Sequence, residues 1–311
     1  MLFCVRAIHM DLDLLQKIEK LGRALSDADG ILIGAGAGMS ASAGYEYSGK
    51  RLAKYFPDFI GKYGFTDMYT AGFHRFETPG ENWAFWSRNI YINRYMDPPG
   101  SIYDDLFALV AGRDYFVLTT NVDHCFQKAG FSKDRLFYTQ GDYGLWQCFL
   151  PCHKATYDNR DAVIGMLRSQ GFDFDCKGDL VPPESGLSMT VPDELLPECP
   201  KCGRPMSMNL RGDETFVQDT GWDAAAERYS RFYREHAKAR MLYLEIGVGY
   251  NTPAIIKYNF WQQVYNNPLA TYACLNPTEA SAPAEIKERS ILIKEDSSAV
   301  LVQLMTICDQ A

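Results

Sequence analysis

Apolar residues recur along this chain in two rhythms. Leu12, Leu14, Leu15, Ile18, Leu21 and Leu25 fall at helical spacing, which predicts an amphipathic helix over residues 11–25. Short apolar runs at 31–33, 115–118, 240–246, 269–275 and 290–293 lack polar alternation and read as strands buried on both faces. Between them, helices are predicted over 83–95, 102–110 and about 297–307, the first two separated by the stop Asp97-Pro98-Pro99-Gly100. Short buried strands alternating with helices predict an α/β fold, a Rossmann-like doubly wound parallel sheet. Trp83, Trp86, Tyr91 and Tyr95 sit at helical spacing, as core residues do.

The polar motifs fall just after predicted strand ends, where open α/β sheets bind their ligands. Gly34-Ala35-Gly36-Ala37-Gly38-Met39-Ser40 follows one strand and opens a helix. Small residues there let the backbone approach a pyrophosphate, although a tight strand-to-helix turn needs them too. The loop is neither a full G-x-G-x-x-G nor a P-loop. Thr119-Thr120-Asn121-Val122-Asp123 ends the second strand and is followed by Gln140-Gly141-Asp142. Gly247-Val248-Gly249 follows a third strand and precedes a helix expected near Pro253, and Asn276 ends the fourth.

Residues 148–213 are rich in Pro, Gly, Asp and Cys and show no long periodic segment, which marks an inserted small module. Cys148-x-x-x-Cys152 and Cys199-x-x-Cys202 have the spacing of a four-thiolate structural zinc site, with Cys176 and His153 as substitute ligands nearby. The expected organisation is a nucleotide-binding domain from 1–147 and 214–311, carrying a helical insertion at about 50–95, and a zinc-binding module at 148–213. Cys4, Cys125, Cys274 and Cys308 are expected to pack as small apolar residues. His74 and His236 are expected at the surface in helical contexts, and His124 stands next to Asp123.

Composition narrows the setting. Nine cysteines in 311 residues is an odd count in a chain too large for a disulfide scaffold, so a reducing cytoplasm is expected. Residues 1–9 lack a signal-peptide apolar core, and no run is long enough to span a membrane. A net charge of −8 without a basic tract argues against nucleic acid as a partner.

Gly36-Ala37-Gly38-Met39-Ser40-Ala41-Ser42-Ala43-Gly44 resembles the Gly-Ala-Gly-x-Ser-x-x-Ser-Gly signature of the sirtuins, and Thr120-Asn121-Val122-Asp123 resembles their Gln-Asn-Ile-Asp. Where that family continues Ile-Pro-Asp-Phe-Arg, this chain has Tyr45-Glu46-Tyr47-Ser48, so Glu46 and Tyr47 stand for the Asp and Phe, and the Arg has no obvious equivalent. Gly247-Val248-Gly249 is similar to the family's Gly-Thr-Ser loop, and Asn276 matches an Asn that binds the adenine ribose; Asp296 or Ser297 aligns loosely with a position under the adenine. The resemblance implies NAD as co-substrate. Asn121 then holds a ribose hydroxyl or water, and Asp123 binds the nicotinamide amide or favours positive charge on the ribose.

Gln140 stands where the family has its His. Glutamine has no titratable proton near neutral pH, and loss of a positioned base costs about 10²–10⁴-fold. Efficient deacylation is therefore not expected, whereas ADP-ribosyl transfer needs less. The same exchange occurs in the macrodomain-linked sirtuins, which this chain resembles over nearly its full length. That resemblance implies protein mono-ADP-ribosylation of a lipoylated, glycine-cleavage-H-like carrier, a macrodomain hydrolase that reverses the mark, and a link to oxidative stress. The alternatives are an NAD-dependent lysine deacylase and a non-catalytic sensor of NAD or ADP-ribose. Hydride transfer is disfavoured because no His–Asp or Tyr–Lys pair accompanies the glycine loop.

Overall fold

The computed structural model describes residues 12–308. The readings made for residues 1–11, Cys4 among them, lie outside the described residues, as does the side chain of Cys308. Among the described residues six parallel strands form the main sheet. They are β1 (Gly30–Ala35), β2 (Tyr115–Thr119), β3 (Leu136–Tyr138), β9 (Met241–Ile246), β10 (Thr271–Leu275) and β11 (Ser290–Ile293). Their spatial order, β11-β10-β9-β1-β2-β3, is that of a doubly wound dinucleotide-binding sheet. Every residue of β1 and β9 is buried, as both faces are covered.

Helices α1 (Leu12–Asp27), α7 (Ile102–Val110) and α12 (Ser297–Cys308) cover one face. Ile18, Leu21 and Leu25 of α1 pack there with Leu106, Leu301 and the strand residues Ile31 and Ile33. Burying each such side chain contributes roughly 1.5–3 kcal/mol. The other face is covered by α10 (Thr220–Glu235) and α11 (Lys257–Asn266), through Ala225, Phe232, Phe260 and Val264.

A second core lies beside the sheet. It joins the short helices α3 (Gly49–Tyr55), α4 (Pro57–Tyr63) and α5 (Met68–Ala71), the longer α6 (Pro79–Ile90) and the helix α9 (Arg160–Ser169). A small antiparallel sheet in the order β5-β4-β8 completes it, formed by β4 (Gly141–Cys148), β5 (Tyr157–Asp158) and β8 (Met206–Leu210). A ribbon of β6 (Asp173–Phe174) and β7 (Leu180–Val181) sits at its edge. Arg88, fully buried, ties the parts together: it pairs with Asp58 at 2.6 Å and donates to Gln170 and to the carbonyls of Tyr55 and Ser188.

Four expectations change. The helix read over 83–95 leaves α-geometry after Ile90 and continues as a π-helical turn, Tyr91–Tyr95. Residues 148–213 do contain a periodic segment, α9, whose Val163, Met166 and Leu167 face the second core. The helix expected near Pro253 begins at Lys257, after turns. His74 is not helical but packs among Tyr63, Phe65 and Phe76, with ring centroids 4.4 Å from Tyr63, and His236 is half-buried, bonded to the Phe232 carbonyl and to Asp114.

Candidate active site

The crossover between β1 and β9 is the topological switch point, where the carboxyl ends of adjacent strands diverge into a crevice. Two glycine loops meet there. The backbone N–H of Gly36 donates to Ile246 at 3.0 Å, and that of Gly38 to the Gly247 carbonyl at 2.9 Å. A methyl group on Gly36 or on Gly38 would lie 2.7 Å from Gly247, and one on Gly247 only 2.2 Å from the Met39 nitrogen. Gly247 also has φ +62°. These glycines are fixed by loop-on-loop contact. Helix α2 (Ala37–Ser42) starts at this contact. Val248 is buried, and Gly249 and Tyr250 continue past Glu279, which accepts the Tyr250 N–H at 3.0 Å.

Asn276 closes the far side. Its Nδ2 donates to the Val248 carbonyl at 3.2 Å, and its Oδ1 accepts from the N–H groups of Thr278 and Glu279. The side chain thus bonds the β9 loop to the turn after β10. Asp296 accepts from Ser42 and caps α12, and Ser297 bonds the Leu275 carbonyl.

The end of β2 supplies the polar centre. Asn121 Nδ2 donates to the Gly36 carbonyl at 3.0 Å and to the Tyr103 hydroxyl at 3.3 Å. Tyr103 shares a 2.9 Å hydrogen bond with Ser40, and Ser40 Oγ donates to Asp123 at 2.5 Å. Asp123 also accepts the Cys125 N–H, yet burial outweighs both bonds and raises its carboxyl above the ordinary range. Thr120 anchors the turn through its N–H to the Ala35 carbonyl at 3.1 Å. Tyr47 faces this region: burial first, then Tyr143, pushes its hydroxyl well up, with Asp123 a further contributor. Glu46 is exposed.

Gln140 occupies the seam between the main sheet and the second core. Its carbonyl accepts the Arg211 N–H at 3.0 Å, while its half-buried side chain bonds no described residue. Gly141 beside it has φ +96°, and a methyl there would sit 1.9 Å from the Asn209 oxygen.

Three contributors carried no local sequence signal, and a fourth, His124, carried only its place beside Asp123. Arg51 on α3 reaches the Glu46 and Ile92 carbonyls and Asn93, with its guanidinium 4.6 Å from the Tyr45 ring centroid. Tyr103 comes from α7. Arg94, presented by the π-helical turn, binds Asp142 at 2.6 Å. His124 binds the other oxygen of Asp142 through Nδ1 at 2.9 Å. Burial alone would lift the Asp142 carboxyl, but the His124 bond and the Arg94 charge hold it below the ordinary range. Among the described residues His124 is the one non-glycine with positive φ, at +65°, a conformation that costs roughly 1–2 kcal/mol for an L-residue.

Away from this centre, the Sγ atoms of Cys148, Cys152, Cys199 and Cys202 lie within 4.8 Å of one another. Cys148 and Cys202 are 3.6 Å apart, Cys152 and Cys199 3.8 Å. Four thiolates about 2.3 Å from a tetrahedral zinc stand about 3.8 Å apart, so the donor set fits that ion. Cys176 is exposed and outside the cluster; His153 bonds Cys152 and Tyr157 at its margin. No described helix is long and apolar enough to cross a membrane.

No protein-family model matches the chain. Among curated proteins, it is 39% identical over 287 residues to a "Protein ADP-ribosyltransferase" of Staphylococcus aureus, covering 92% of this chain and 86% of that one. It is 30% identical over 243 residues to a "Probable bifunctional ADP-ribose hydrolase/ADP-ribosyltransferase" of Fusarium oxysporum f. sp. cubense, covering 75% of this chain but 38% of that longer protein. Among solved structures, one described as "The Structural basis of Sirtuin Substrate Affinity" superposes with a TM-score of 0.56 at 16% identity, covering 96% of this chain and 99% of that one. A Sir2 homologue–NAD complex gives a TM-score of 0.51 at 16% identity, covering 97% and 95%. The structural likeness shows the fold, and the Staphylococcus relative, similar over most of both chains, shows the family: this chain belongs to the protein ADP-ribosyltransferases built on the sirtuin fold.

Proposed function

We propose that the protein cleaves NAD between nicotinamide and ribose, releases nicotinamide and transfers ADP-ribose to an acceptor protein. One observation carries this reading: Ser40, Asn121 and Asp123 converge through Tyr103 beside the clamped glycine loops, while the Gln140 side chain at the same seam is left without a protein partner. The loop backbone of Gly36, Ala37 and Gly38, with Ser40, receives the pyrophosphate side of NAD. Gly247, Val248 and Gly249 receive the adenosine half, with Asn276 holding their loop in place. Thr120, Glu46 and Tyr47 border the nicotinamide ribose.

Asn121, Asp123 and Gln140 do the chemistry. Asp123 has been raised by burial, so a cationic nicotinamide ring or the developing charge at the anomeric carbon restores its carboxylate where that charge is most effective. Gln140 orients a ribose hydroxyl or the acceptor but takes no proton, which favours transfer over deacylation.

The acceptor implied by the family resemblance is a lipoylated carrier protein of the glycine-cleavage-H type, with a macrodomain ADP-ribose hydrolase as functional partner. The bifunctional name of the Fusarium relative supports that pairing. Zinc held by the four cysteines is structural, since the tetrahedral set leaves no open position. A cytoplasmic setting agrees with the free thiols of the described residues.

The test is labelling of a lipoyl-carrier protein by NAD radiolabelled in its adenylate. Asn121→Ala and Gln140→Ala each lower labelling by about 10²-fold or more. Unchanged labelling in both variants overturns the assignment. Formation of O-acyl-ADP-ribose from an acyl-lysine peptide would identify a deacylase, and absence of nicotinamide release would identify a sensor.

A further inference from the structure

The site lacks a base at Gln140, yet Asp142, two residues along, pairs with His124. His124 lies at the border of a small cavity that it shares with Asn121, Asp123, Tyr138 and Asp142. Its Nδ1 is committed to Asp142, and its Nε2 bonds no described residue. The His124 side chain is 29% exposed, while Asp142 behind it is 6% exposed. Asp142 is itself fixed by three donors, the Arg94 guanidinium at 2.6 Å, the Gly144 N–H at 2.7 Å and His124 at 2.9 Å. A carboxylate held this way sets the ring's orientation and places its proton on Nδ1, leaving a lone pair on Nε2. The backbone accepts a left-handed conformation to put a histidine at this turn, where glycine would fit without strain.

We propose that His124, oriented by Asp142 and Arg94, is the proton acceptor of the transfer step, serving a nucleophile that arrives with its proton: a hydroxyl, an amide or water. This rests on the reading of the protein as an NAD-cleaving ADP-ribosyltransferase. The bond between the anomeric carbon and the nicotinamide nitrogen breaks, its electron pair leaving with neutral nicotinamide. The nucleophile's lone pair forms the new bond to that carbon, and its proton passes to Nε2 and on to solvent. The charged groups around the ring are Asp142 on β4, Arg94 on the π-helical turn behind that carboxylate, and Asp123, which lines the same cavity.

Two small probes separate this role from a structural one. Methanol brings an O–H proton to lose, and azide brings none. With NAD and methanol, His124→Gln, whose amide can still donate to Asp142, forms methyl ADP-riboside about 10²-fold more slowly than wild type or worse. Azide restores its nicotinamide release to within about tenfold of the wild-type rate with azide, because the remaining barrier needs no base. His124→Gly, relieved of the left-handed constraint, shows the same split and shows that it does not come from misfolding. Equal slowing with both probes, or slowing with neither, overturns the proposal. If wild type itself releases no nicotinamide with either probe, the ADP-ribosyltransferase reading falls and this inference with it.

Discussion

The amide of Gly38 bonds the carbonyl of Gly247 at 2.9 Å, so the loops after β1 and β9 are one clamped unit. A side chain at Gly247 meets the Met39 nitrogen at 2.2 Å, and the residue also needs φ +62°. Gly247→Ala should therefore destabilise the protein by about 2–3 kcal/mol, combining backbone strain with a contact that neither loop can relieve. Urea unfolding measures this; a loss under 1 kcal/mol would mean that the loops part easily.

Asp123 should make stability depend on pH in an uncommon direction. Its carboxyl is raised by burial, so the folded state holds the proton more tightly than the unfolded chain. The stability it contributes is complete below the unfolded value of about 3.9 and is lost as pH rises through the folded value. Asp123→Asn should match wild type in acid, exceed it in stability near neutrality, and lose nicotinamide release. Melting temperatures across that range check the sign; a variant less stable than wild type at pH 7 contradicts it.

Lys257 and Glu245 form an ion pair at 2.5 Å with both side chains wholly buried, and Tyr272 and Cys274 also donate to Glu245. Removing one partner leaves an unpaired buried charge, so Lys257→Met should cost about 3–5 kcal/mol. The double variant Lys257→Met with Glu245→Leu should recover most of that loss. A double-mutant cycle in denaturant reads the coupling, and additive losses would show that the pair does not interact as drawn.

The four-cysteine cluster should hold one zinc per chain as purified, seen by native mass spectrometry. Cys199→Ser should release the metal and lower the melting temperature, since ligand convergence ties the end of β4 and the turn after it to the turn that leads into β8. A metal-free protein of unchanged stability would show that the thiols pack without an ion.

Much of the main sheet was legible because β1, β2, β9, β10 and β11 are short, mostly apolar runs, and the glycine motifs, the Asn-Asp motif and Asn276 sit at their ends. Strand β3 escaped notice at three residues, Leu136–Tyr138. Helix α10 gave little signal because its buried residues are Ala225 and Phe232, two turns apart on a polar background. The partners around Asn121 and Asp142 were beyond local reading for a different reason. Tyr103, Arg51 and Arg94 come from separate helical elements, and their convergence follows from tertiary packing. The π-helical turn that aims Arg94 has no period of its own in the sequence.

The position of β1 at the middle of the sheet sets a schedule for the newborn chain. Asp29, just before β1, bonds the backbone of Arg240 across 211 residues of sequence. Beyond it Gly30–Ala35 pairs along its full length with Met241–Ile246. At about 5–20 residues per second of synthesis, β1 waits roughly 10–40 s with one edge open before β9 is made. During that interval an apolar strand edge is available to other chains. Expression yield should therefore respond to translation speed and to chaperones that shield strand edges, even though the finished fold hides this one completely.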